Sequence, residues 1–219
     1  MEDVEATAVD AAVTAAEVIV TKAARVRVPA TRLLPVRIET GRRAFPAVKE
    51  LPHKISALVY AFDEAGQMLM IHRRQAPNQG LWSPFGGKLK TALGESPHQC
   101  AARETLEETG FRFNPEDFHL AGVVSEQGYE GETHWLMFLF ELKPRLTTLP
   151  PPHEEGTFEF VPTDEVPRRK IPLSDRDVLW PLFQKHRGGF FAVSIQCQGP
   201  DGAAQSWRVE QALPAAPSL

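Results

Sequence analysis

Apolar and polar positions first form a regular pattern at Ile55, where a mostly apolar run extends to Phe62. A four-residue turn, Asp63 to Gly66, separates this run from a second apolar run over residues 67–71. Short apolar runs bounded by turn residues are typical of buried β-strands. The pattern therefore predicts a β-hairpin at this point of the chain.

The clearest helix pattern lies between Ser96 and Gly110. Ser96 is a good N-cap residue, Pro97 suits the first helical position, and Gln99 can complete a capping box. Gly110 can supply the left-handed residue that commonly follows the last helical turn. The sequence thus predicts a helix over residues 97–109.

Downstream of this helix the chain alternates between strand and helix patterns. Strands are predicted at 120–124, 134–142, 157–161, 190–195 and 206–209. A second helix is expected after Ser174, with an apolar stripe that includes Val178 and Leu182, and Pro181 should bend it. Strands outnumber helices and the connections are mixed, so the expected fold class is a layered α+β domain.

Composition narrows the possible partners. The chain of 219 residues has 24 Lys and Arg against 28 Asp and Glu, a net charge of −4, so it lacks a basic footprint for nucleic acid or anionic membranes. Its two cysteines do not form a disulfide framework, which favours a reducing compartment and a cytoplasmic location. The apolar stretch over 11–20 is short and contains Glu17, so we expect no export or membrane segment.

Residues 1–50 differ in composition from the rest of the chain. They are first rich in Ala and Val and then basic, and the stretches 25–28 and 35–38 alternate with period two. This segment is expected to form an accessory β-hairpin or to be partly disordered. We therefore predict an N-terminal extension (1–50), a central domain (51–195) and a C-terminal strand and tail (196–219).

The predicted helix carries three glutamates, Glu104, Glu107 and Glu108, at positions i, i+3 and i+4. At about 100° per residue these glutamates share one face, while the opposite face, which should pack against the sheet, carries Ala102, Leu106 and Thr109. Like charges at these spacings repel one another. A hard divalent cation such as Mg²⁺ would offset this repulsion, whereas the cluster lacks the Cys and His ligands of a zinc site. The alternative is a solvated acidic helix face.

The residues around this cluster favour a ligand site. Arg103 can reach back to Glu95 and hold its carboxylate by a bidentate pair. Gly86 and Gly87 precede the helix and allow the backbone to approach a ligand closely. These features make the solvated acidic face the weaker interpretation.

Together these residues resemble the Nudix box, G-x5-E-x7-R-E-U-x-E-E-x-G-U, in which U is apolar. The similar stretch runs from Gly87 to Phe111, with a two-residue insertion before Glu95 and with Thr105 at the first apolar position. The resemblance implies a Nudix-type α/β/α sandwich around a mixed β-sheet. It also implies attack of water on a phosphorus of nucleoside diphosphate derivatives, assisted by Mg²⁺ or Mn²⁺.

The resemblance also implies roles for the residues of the box. The implied metal ligands are Glu104, Glu107, Glu108 and the carbonyl of Gly87. Glu104 could instead be the general base, with Arg103 and Glu95 as orienting partners in catalysis. Some family members recruit the base from a later loop, and the candidates for it here are Glu154, Glu155, Glu159 and, with less support, Glu130 and Glu132.

Two stretches outside the box resemble the MutT-like branch of the family, which includes oxidised purine nucleoside triphosphate pyrophosphohydrolases. Residues 82–88 are similar to its W-x-x-F-G-G-K stretch, and residues 180–191 to its C-terminal helix and last strand. Ser83 and Asp175 stand where that branch reads the purine edge. The implied substrate-binding residues are Arg73, Arg74, Trp82, Ser83, Lys88 and Asp175.

The leading interpretation is a Mg²⁺-dependent pyrophosphohydrolase of nucleoside triphosphates, 8-oxo-dGTP among them, that releases nucleoside monophosphate and pyrophosphate. One alternative is an ADP-ribose or dinucleotide pyrophosphatase. Another is a Nudix-homology regulator that binds a nucleotide without cleaving it, although such regulators usually lose a glutamate of the box. In each case the expected partner is a small-molecule nucleotide rather than a nucleic acid or a membrane.

Overall fold

The computed structural model of the protein describes residues 50–199 and 201–215, so residues 1–49 of the predicted extension lie outside it. The strands are β1 (His53–Tyr60), β2 (Met68–Arg73), β3 (Trp82–Ser83), β4 (Phe85–Lys88), β5 (Phe118–Tyr129), β6 (Thr133–Leu142), β7 (Gly156–Val161), β8 (Phe190–Gln198) and β9 (Ala203–Leu213). The helices are α1 (Pro97–Thr109) and α2 (Trp180–Lys185), and a π turn (Asp175–Leu179) leads into α2. Within these described ranges, every helix is too short or too polar to cross a membrane.

Two sheets organise the strands. The larger sheet has six strands in the order β4-β1-β6-β5-β8-β9, and the smaller has three in the order β3-β2-β7. In the larger sheet β1 runs parallel to β6 and β5 runs parallel to β8, whereas the remaining pairs are antiparallel. This mixed sheet with few helices confirms the predicted α+β class.

The larger sheet is covered by a helix on each face because its interior strand β1 is apolar on both. Along β1, Ala57 and Val59 belong to the core that includes Ala101 of α1. Tyr60 belongs to the opposite core, where its ring packs against Phe183 of α2 at a centroid distance of 4.4 Å. Alternate residues of a strand point to opposite faces, so one strand contributes to both cores. The expected α/β/α sandwich is therefore confirmed.

The predicted hairpin over 55–71 is wrong in its pairing. The turn forms, and the Leu69 amide donates to the Ala61 carbonyl at 2.8 Å, but beyond the Phe62–Met68 bridge the two strands separate. β1 pairs with β4 and β6, and β2 with β3 and β7. Strands that are apolar on both faces are stabilised most in sheet interiors, so β1 and β2 become interior strands of different sheets.

The helix prediction is confirmed at both ends. The Ser96 side chain accepts from the Gln99 amide at 3.2 Å, both hydrogen bonds of the capping box are present, and Gly110 is left-handed. The predicted buried face is confirmed for Thr109, which is buried, and for Ala102, which packs against the core. It is wrong in its centre, since Ala101, Thr105 and Glu108 are buried whereas Leu106 is partly exposed. The buried face is rotated toward the glutamates because Glu108 itself points into the protein.

The later strands begin within three residues of the predicted positions and differ in extent. β5 continues past the predicted end at Val124 to Tyr129, because its polar inward residues line a cavity rather than the core. The helix after Ser174 starts as a π turn, in which the Trp180 amide donates to the Asp175 carbonyl. Pro181 follows directly and has no N–H to donate to a helical hydrogen bond. The π turn therefore lies next to the proline that was expected to bend the helix.

Candidate active site

A cavity of about 440 Å³ lies along the larger sheet. Its lining crosses four neighbouring strands, with Gly87 on β4, Leu58 on β1, Met137 on β6 and Glu126 on β5. Adjacent strands are about 4.8 Å apart, so the cavity spans roughly 14 Å from β4 to β5. This breadth is sufficient for one nucleotide to contact both sides.

The two sides of the cavity carry different chemistry. The α1 side is formed by Gly86, Gly87, Lys88, Arg103 and Glu104. The β5 side is formed by Ser83, Glu126, Tyr129 and Asp175. The α1 side carries charged side chains that contact one another, whereas the β5 side combines two carboxyl groups with hydroxyl groups.

The tandem glycines of β4 permit close packing at the α1 side. Gly86 has a φ of 137°, and a side chain there would collide with the Ala57 carbonyl of the neighbouring strand. A Cβ on Gly87 would overlap the carboxylate of Glu104. Glycine at position 87 therefore lets the Glu104 carboxylate lie directly against the backbone of β4.

Arg103 organises the carboxylates of the α1 side. Its Nε and Nη2 donate to the two oxygens of Glu95 at 2.7 and 3.0 Å, which is the bidentate contact that the sequence suggested. Its Nη1 donates to Glu104 at 2.6 Å and to Glu107 at 2.9 Å. The hydrogen bonds from Arg103 lower the pKa of Glu95. One guanidinium thus fixes the orientation of three carboxylates.

Glu108 is the most deeply buried carboxylate of the helix, with 4% of its surface exposed. Its Oε1 accepts from the Gly86 amide at 2.9 Å, while its buried Oε2 has no hydrogen-bond partner. Burial raises the pKa of Glu108 to about 8, and the nearby Glu155 carboxylate adds to the effect. Burial also raises the pKa of Glu104. An unpartnered buried carboxylate oxygen is costly unless a ligand completes it.

The donor set of the α1 side fits a hard divalent cation. Glu104, Glu107, Glu108 and the Gly87 carbonyl offer only oxygen, which Mg²⁺ and Mn²⁺ prefer. In the described part of the chain these carboxylates do not form a complete metal-binding cluster. Glu107 instead accepts hydrogen bonds from Arg103 at 2.9 Å and from Lys90 at 3.4 Å. The unpartnered Oε2 of Glu108 is the observation that supports the fit.

The structure brings only some of the other predicted residues to this site. Arg73 lines the cavity and contacts Glu155 at 3.3 Å, and Glu155 lines the cavity as well. Arg74 is exposed and reaches the His153 carbonyl at 3.5 Å. The remaining candidate carboxylates, Glu130, Glu132, Glu154 and Glu159, are not part of the cavity lining, and Glu159 pairs with Arg169. Among the candidate loop carboxylates named here, Glu155 is therefore the one that lines the cavity.

Trp82 and Ser83 are neighbours in the sequence but face different surroundings. The Trp82 ring packs against His72 at a centroid distance of 5.0 Å and lies beneath the Arg169 guanidinium, outside the cavity lining. Ser83 lines the cavity and is buried. Base stacking on Trp82 is thus not supported by its position, whereas Ser83 and Lys88 are placed for contact with a ligand.

Sequence reasoning missed Glu126 and Tyr129 on the β5 side. Both lie beyond the predicted end of the strand at Val124. Val124 and Glu126 are two residues apart and share one face, as in any strand. Extending the strand by one alternation would have placed Glu126 on the inward face.

Comparison with known proteins agrees with this architecture. The NUDIX domain family matches residues 52–180, more than half of the chain. A protein of Bacillus subtilis (strain 168) named "Putative 8-oxo-dGTP diphosphatase" is 35% identical over 78 residues, which are 36% of this chain and 48% of that protein. The match thus spans about half the length of that relative.

Solved structures share the fold. The crystal structure of a MutT protein from Bacillus halodurans has a TM-score of 0.56 at 23% identity, over 72% of this chain and 97% of that one. The NUDIX domain of Shewanella oneidensis NrtR, solved with ADP ribose, has a TM-score of 0.50 at 17% identity, over 64% of this chain and 90% of that one. The chain therefore belongs to the Nudix family and, with the glutamates of its box all present, to the Nudix hydrolases.

Proposed function

We propose that this chain is a divalent-metal-dependent pyrophosphohydrolase of nucleoside triphosphates, with 8-oxo-dGTP as a substrate. The observation that carries the proposal is a single cavity lined by Arg103 and Glu104 of the box on its α1 side and by hydrogen-bonding groups on its β5 side. The partial similarity to the Bacillus subtilis protein supports the choice of substrate. The products would be a nucleoside monophosphate and pyrophosphate.

The metal would be Mg²⁺ or Mn²⁺, held by Glu104, Glu107, Glu108 and the Gly87 carbonyl. When bound, it would neutralise charge on the phosphates and lower the pKa of the attacking water. The role of Arg103 is to hold Glu95, Glu104 and Glu107 in fixed orientations before the substrate arrives. Preorganised charges of this kind need not rearrange during the reaction.

Basic side chains of the cavity would receive the phosphate groups. Arg73, Lys88 and Lys90 line the cavity together with Arg103. These four cationic side chains would neutralise the negative charge of a bound triphosphate. Their presence favours binding of the triphosphate next to the carboxylates. The Arg73 guanidinium also holds Glu155 at the cavity wall.

Hydrolysis requires a group that takes a proton from water. The water oxygen forms a bond to the α- or β-phosphorus, the anhydride P–O bond between these two phosphorus atoms breaks with its electron pair going to the leaving pyrophosphate or nucleoside monophosphate, and the water proton passes to a carboxylate. Glu104 and Glu155 both line the cavity and are the candidates for this carboxylate. Glu104→Gln and Glu155→Gln separate them, because loss of the base removes the acidic limb of the pH–rate profile.

An adjoining hollow favours a second candidate function. It has a volume of about 460 Å³ and shares Pro77, Asn78 and Tyr129 with the first cavity. Such a hollow offers room for a second nucleoside or ribose, as in a dinucleotide or ADP-ribose. Hydrolysis of these compounds is therefore the alternative that the experiment must separate.

The test is chromatographic product analysis with Mg²⁺ and a panel of 8-oxo-dGTP, the ordinary dNTPs, ADP-ribose, NADH and diadenosine polyphosphates. The proposal expects preferential conversion of 8-oxo-dGTP to its monophosphate. Glu107→Gln should slow the reaction by roughly 10²–10⁴, whereas Glu210→Gln, an exposed glutamate of β9, should not change it. Preferential cleavage of ADP-ribose or a dinucleotide would support the second candidate, and binding without cleavage of any compound would support a regulator.

A further inference from the structure

The loop between β4 and α1 places a lysine against one of the glutamates of the α1 side. Residues 88–94 are two residues longer than the corresponding part of the Nudix box, whose pattern leaves these positions unspecified. Lys90 lies in this stretch and lines the cavity, and its Nζ contacts Glu107 Oε1 at 3.4 Å. The contact between this lysine and Glu107 is therefore a property of this chain rather than of the box pattern.

The backbone of Lys90 is held in place, whereas its side chain is half-exposed. The Lys90 amide donates to Glu95 Oε2 at 2.7 Å, and the Lys90 carbonyl accepts from the Leu93 amide at 2.8 Å. Glu95 is in turn held by the Arg103 guanidinium at 2.7 Å. The loop thus keeps the backbone of Lys90 beside the carboxylates, while 48% of its side chain is exposed.

Both carboxylate oxygens of Glu107 are in contact with cationic side chains. Its Oε1 contacts Lys90, and its Oε2 accepts from Arg103 Nη1 at 2.9 Å. A divalent cation next to a bound ammonium or guanidinium group is repelled by it. A metal can therefore bind Glu107 only after at least one of these two side chains has moved away.

Lys90 is the side chain that is free to move. Arg103 is 18% exposed and also donates to Glu95, to Glu104 and to the Lys88 carbonyl, so its movement would release several groups at once. Lys90 has a longer contact to one carboxylate, at the end of a flexible four-carbon side chain. Breaking an exposed ion pair of this kind costs little free energy. The exchange with a metal therefore falls on Lys90.

Glu108 supplies an independent observation that a ligand belongs on this side of the cavity. Its Oε2 is buried and has no hydrogen-bond partner, although its Oε1 accepts from the Gly86 amide at 2.9 Å. Buried carboxylate oxygens almost always have a partner, so this one is positioned for a cation. The inference below rests on the proposed function in that Glu107 and Glu108 are taken as ligands of one metal.

We propose that Lys90 is an exchangeable counter-ion of Glu107, which occupies this carboxylate until a divalent metal binds and then moves to a phosphate group of the nucleotide. Lys90 lines the cavity together with Arg73 and Lys88, so its ammonium group has the phosphates as a second partner. The exchange couples the two binding events. A bound metal frees Lys90 for the phosphates, and a bound phosphate group in turn frees Glu107 for the metal.

The test measures Mn²⁺ binding by the full chain without nucleotide, from the electron paramagnetic resonance signal of free Mn²⁺. Lys90→Met removes the charge and keeps an unbranched side chain, so we expect it to bind Mn²⁺ about three- to ten-fold more tightly than wild type. Lys90→Arg keeps the charge and should bind Mn²⁺ no more tightly than wild type. Lys88→Met is the matched control, because Lys88 also lines the cavity but is not the lysine that contacts Glu107, and it should change the affinity by less than about two-fold.

A second measurement tests the transfer of the ammonium group to the phosphates. It is a calorimetric titration with the α,β-methylene analogue of dGTP, which resists hydrolysis between these two phosphorus atoms, in the presence and absence of Mn²⁺. With saturating Mn²⁺, Lys90→Met should bind the analogue about three- to ten-fold more weakly than wild type. Without metal the difference should be less than about two-fold, because Lys90 is then held by Glu107.

Several results would overturn the proposal. One is an equal Mn²⁺ affinity in wild type and Lys90→Met, or no Mn²⁺ binding by either protein. Another is an equal gain of Mn²⁺ affinity in Lys88→Met, which would assign the effect to the overall charge of the cavity. The same loss of analogue binding with and without Mn²⁺ would also contradict the exchange.

The results also separate this inference from the proposed reaction. Tighter Mn²⁺ binding by Lys90→Met in a protein that hydrolyses no triphosphate would retain the exchange and reject the pyrophosphohydrolase. Hydrolysis of triphosphates by wild type, with an unchanged Mn²⁺ affinity in Lys90→Met, would retain the reaction and reject the exchange.

Discussion

The two sides of the cavity place acidic groups under different conditions. On the α1 side, Arg103 contacts Glu95, Glu104 and Glu107, so these acids are held as a network around one cation. On the β5 side, no basic side chain of the described residues contributes to the pKa of Glu126 or Asp175. The acids of the α1 side are therefore held by a cation, whereas burial raises the pKa of both Glu126 and Asp175 on the β5 side.

The difference between the two sides predicts that substitutions on the α1 side and on the β5 side change different kinetic parameters. Groups that act on the reacting phosphorus lower kcat when they are removed, and groups that only contact the base change KM. The α1 side should therefore control turnover and the β5 side should control which nucleotide binds.

The largest expected effect is on turnover after a change on the α1 side. Glu107→Gln should lower kcat for 8-oxo-dGTP by roughly 10²–10⁴, since a metal ligand is lost while half of the side chain is exposed and little packing changes. Pyrophosphate release measures the rate, and unchanged thermal unfolding verifies the fold. Turnover near that of wild type would remove Glu107 from the site.

Arg103→Lys should have a smaller effect on the same side. A lysine keeps the charge but cannot make the paired contacts to Glu95 and also bind Glu104 and Glu107. We expect kcat to fall about 10- to 100-fold, as for loss of a supporting contact around a metal site. Steady-state kinetics against an Arg208→Lys control, on exposed β9, would check this. Equal rates for the two variants would contradict an orienting role.

Metal binding should stabilise the α1 side measurably. At 100 times the dissociation constant a metal stabilises the fold by about 2.7 kcal/mol, which raises Tm by roughly 5–10 °C in a chain of this size. Glu108→Gln should remove most of the rise, because the unpartnered Oε2 is lost as a ligand. Thermal scans with Mn²⁺ and then EDTA provide the measurement. A full Tm rise in the variant would show that the metal binds elsewhere.

The smallest effect concerns the pH dependence of stability on the β5 side. The pKa of Asp175 is raised to about 8 in the fold, from an ordinary value of 3.8. A raised carboxyl pKa means that its unfavourable contribution is absent at low pH and grows as pH rises from about 4 to 8. Asp175→Asn should therefore gain a few degrees in Tm relative to wild type across this window.

The titratable groups next to Asp175 also affect how stability changes with pH. Glu126, Tyr129 and Cys197 surround Asp175, and the pKa of each is raised as well. Tyr129 and Cys197 stay neutral below pH 8, so Glu126 is the group that shares the change with Asp175. A constant Tm difference between pH 4 and 8 would contradict the predicted burial effect.

The sequence predicted the α1 side more completely than the β5 side for a physical reason. Caps and the spacing of Glu104, Glu107 and Glu108 are local properties of one helix, so they can be read along the chain. The β5 side joins residues from three separated elements, among them Ser83 and Glu126. Their association depends on strand order, which the local pattern does not encode.

The errors in the fold have the same origin. The pairing of β1 and β2 was predicted from the turn between them, but β1 is parallel to β6, which lies far along the chain. The packing face of α1 was misplaced because Glu108 was grouped with Glu104 and Glu107 on the face opposite the sheet. In the structure a backbone amide and the glycine strand receive Glu108, which is a tertiary effect.

The most direct test compares kcat and KM for 8-oxo-dGTP, with Mg²⁺, in Glu107→Gln and Glu126→Gln under identical conditions. The predicted result is a split, in which Glu107→Gln loses kcat at an almost unchanged KM and Glu126→Gln raises KM at an almost unchanged kcat. Wild type should release 8-oxo-dGMP and pyrophosphate. Loss of the same parameter in both variants, or no hydrolysis by wild type, would contradict the assignment of the two sides.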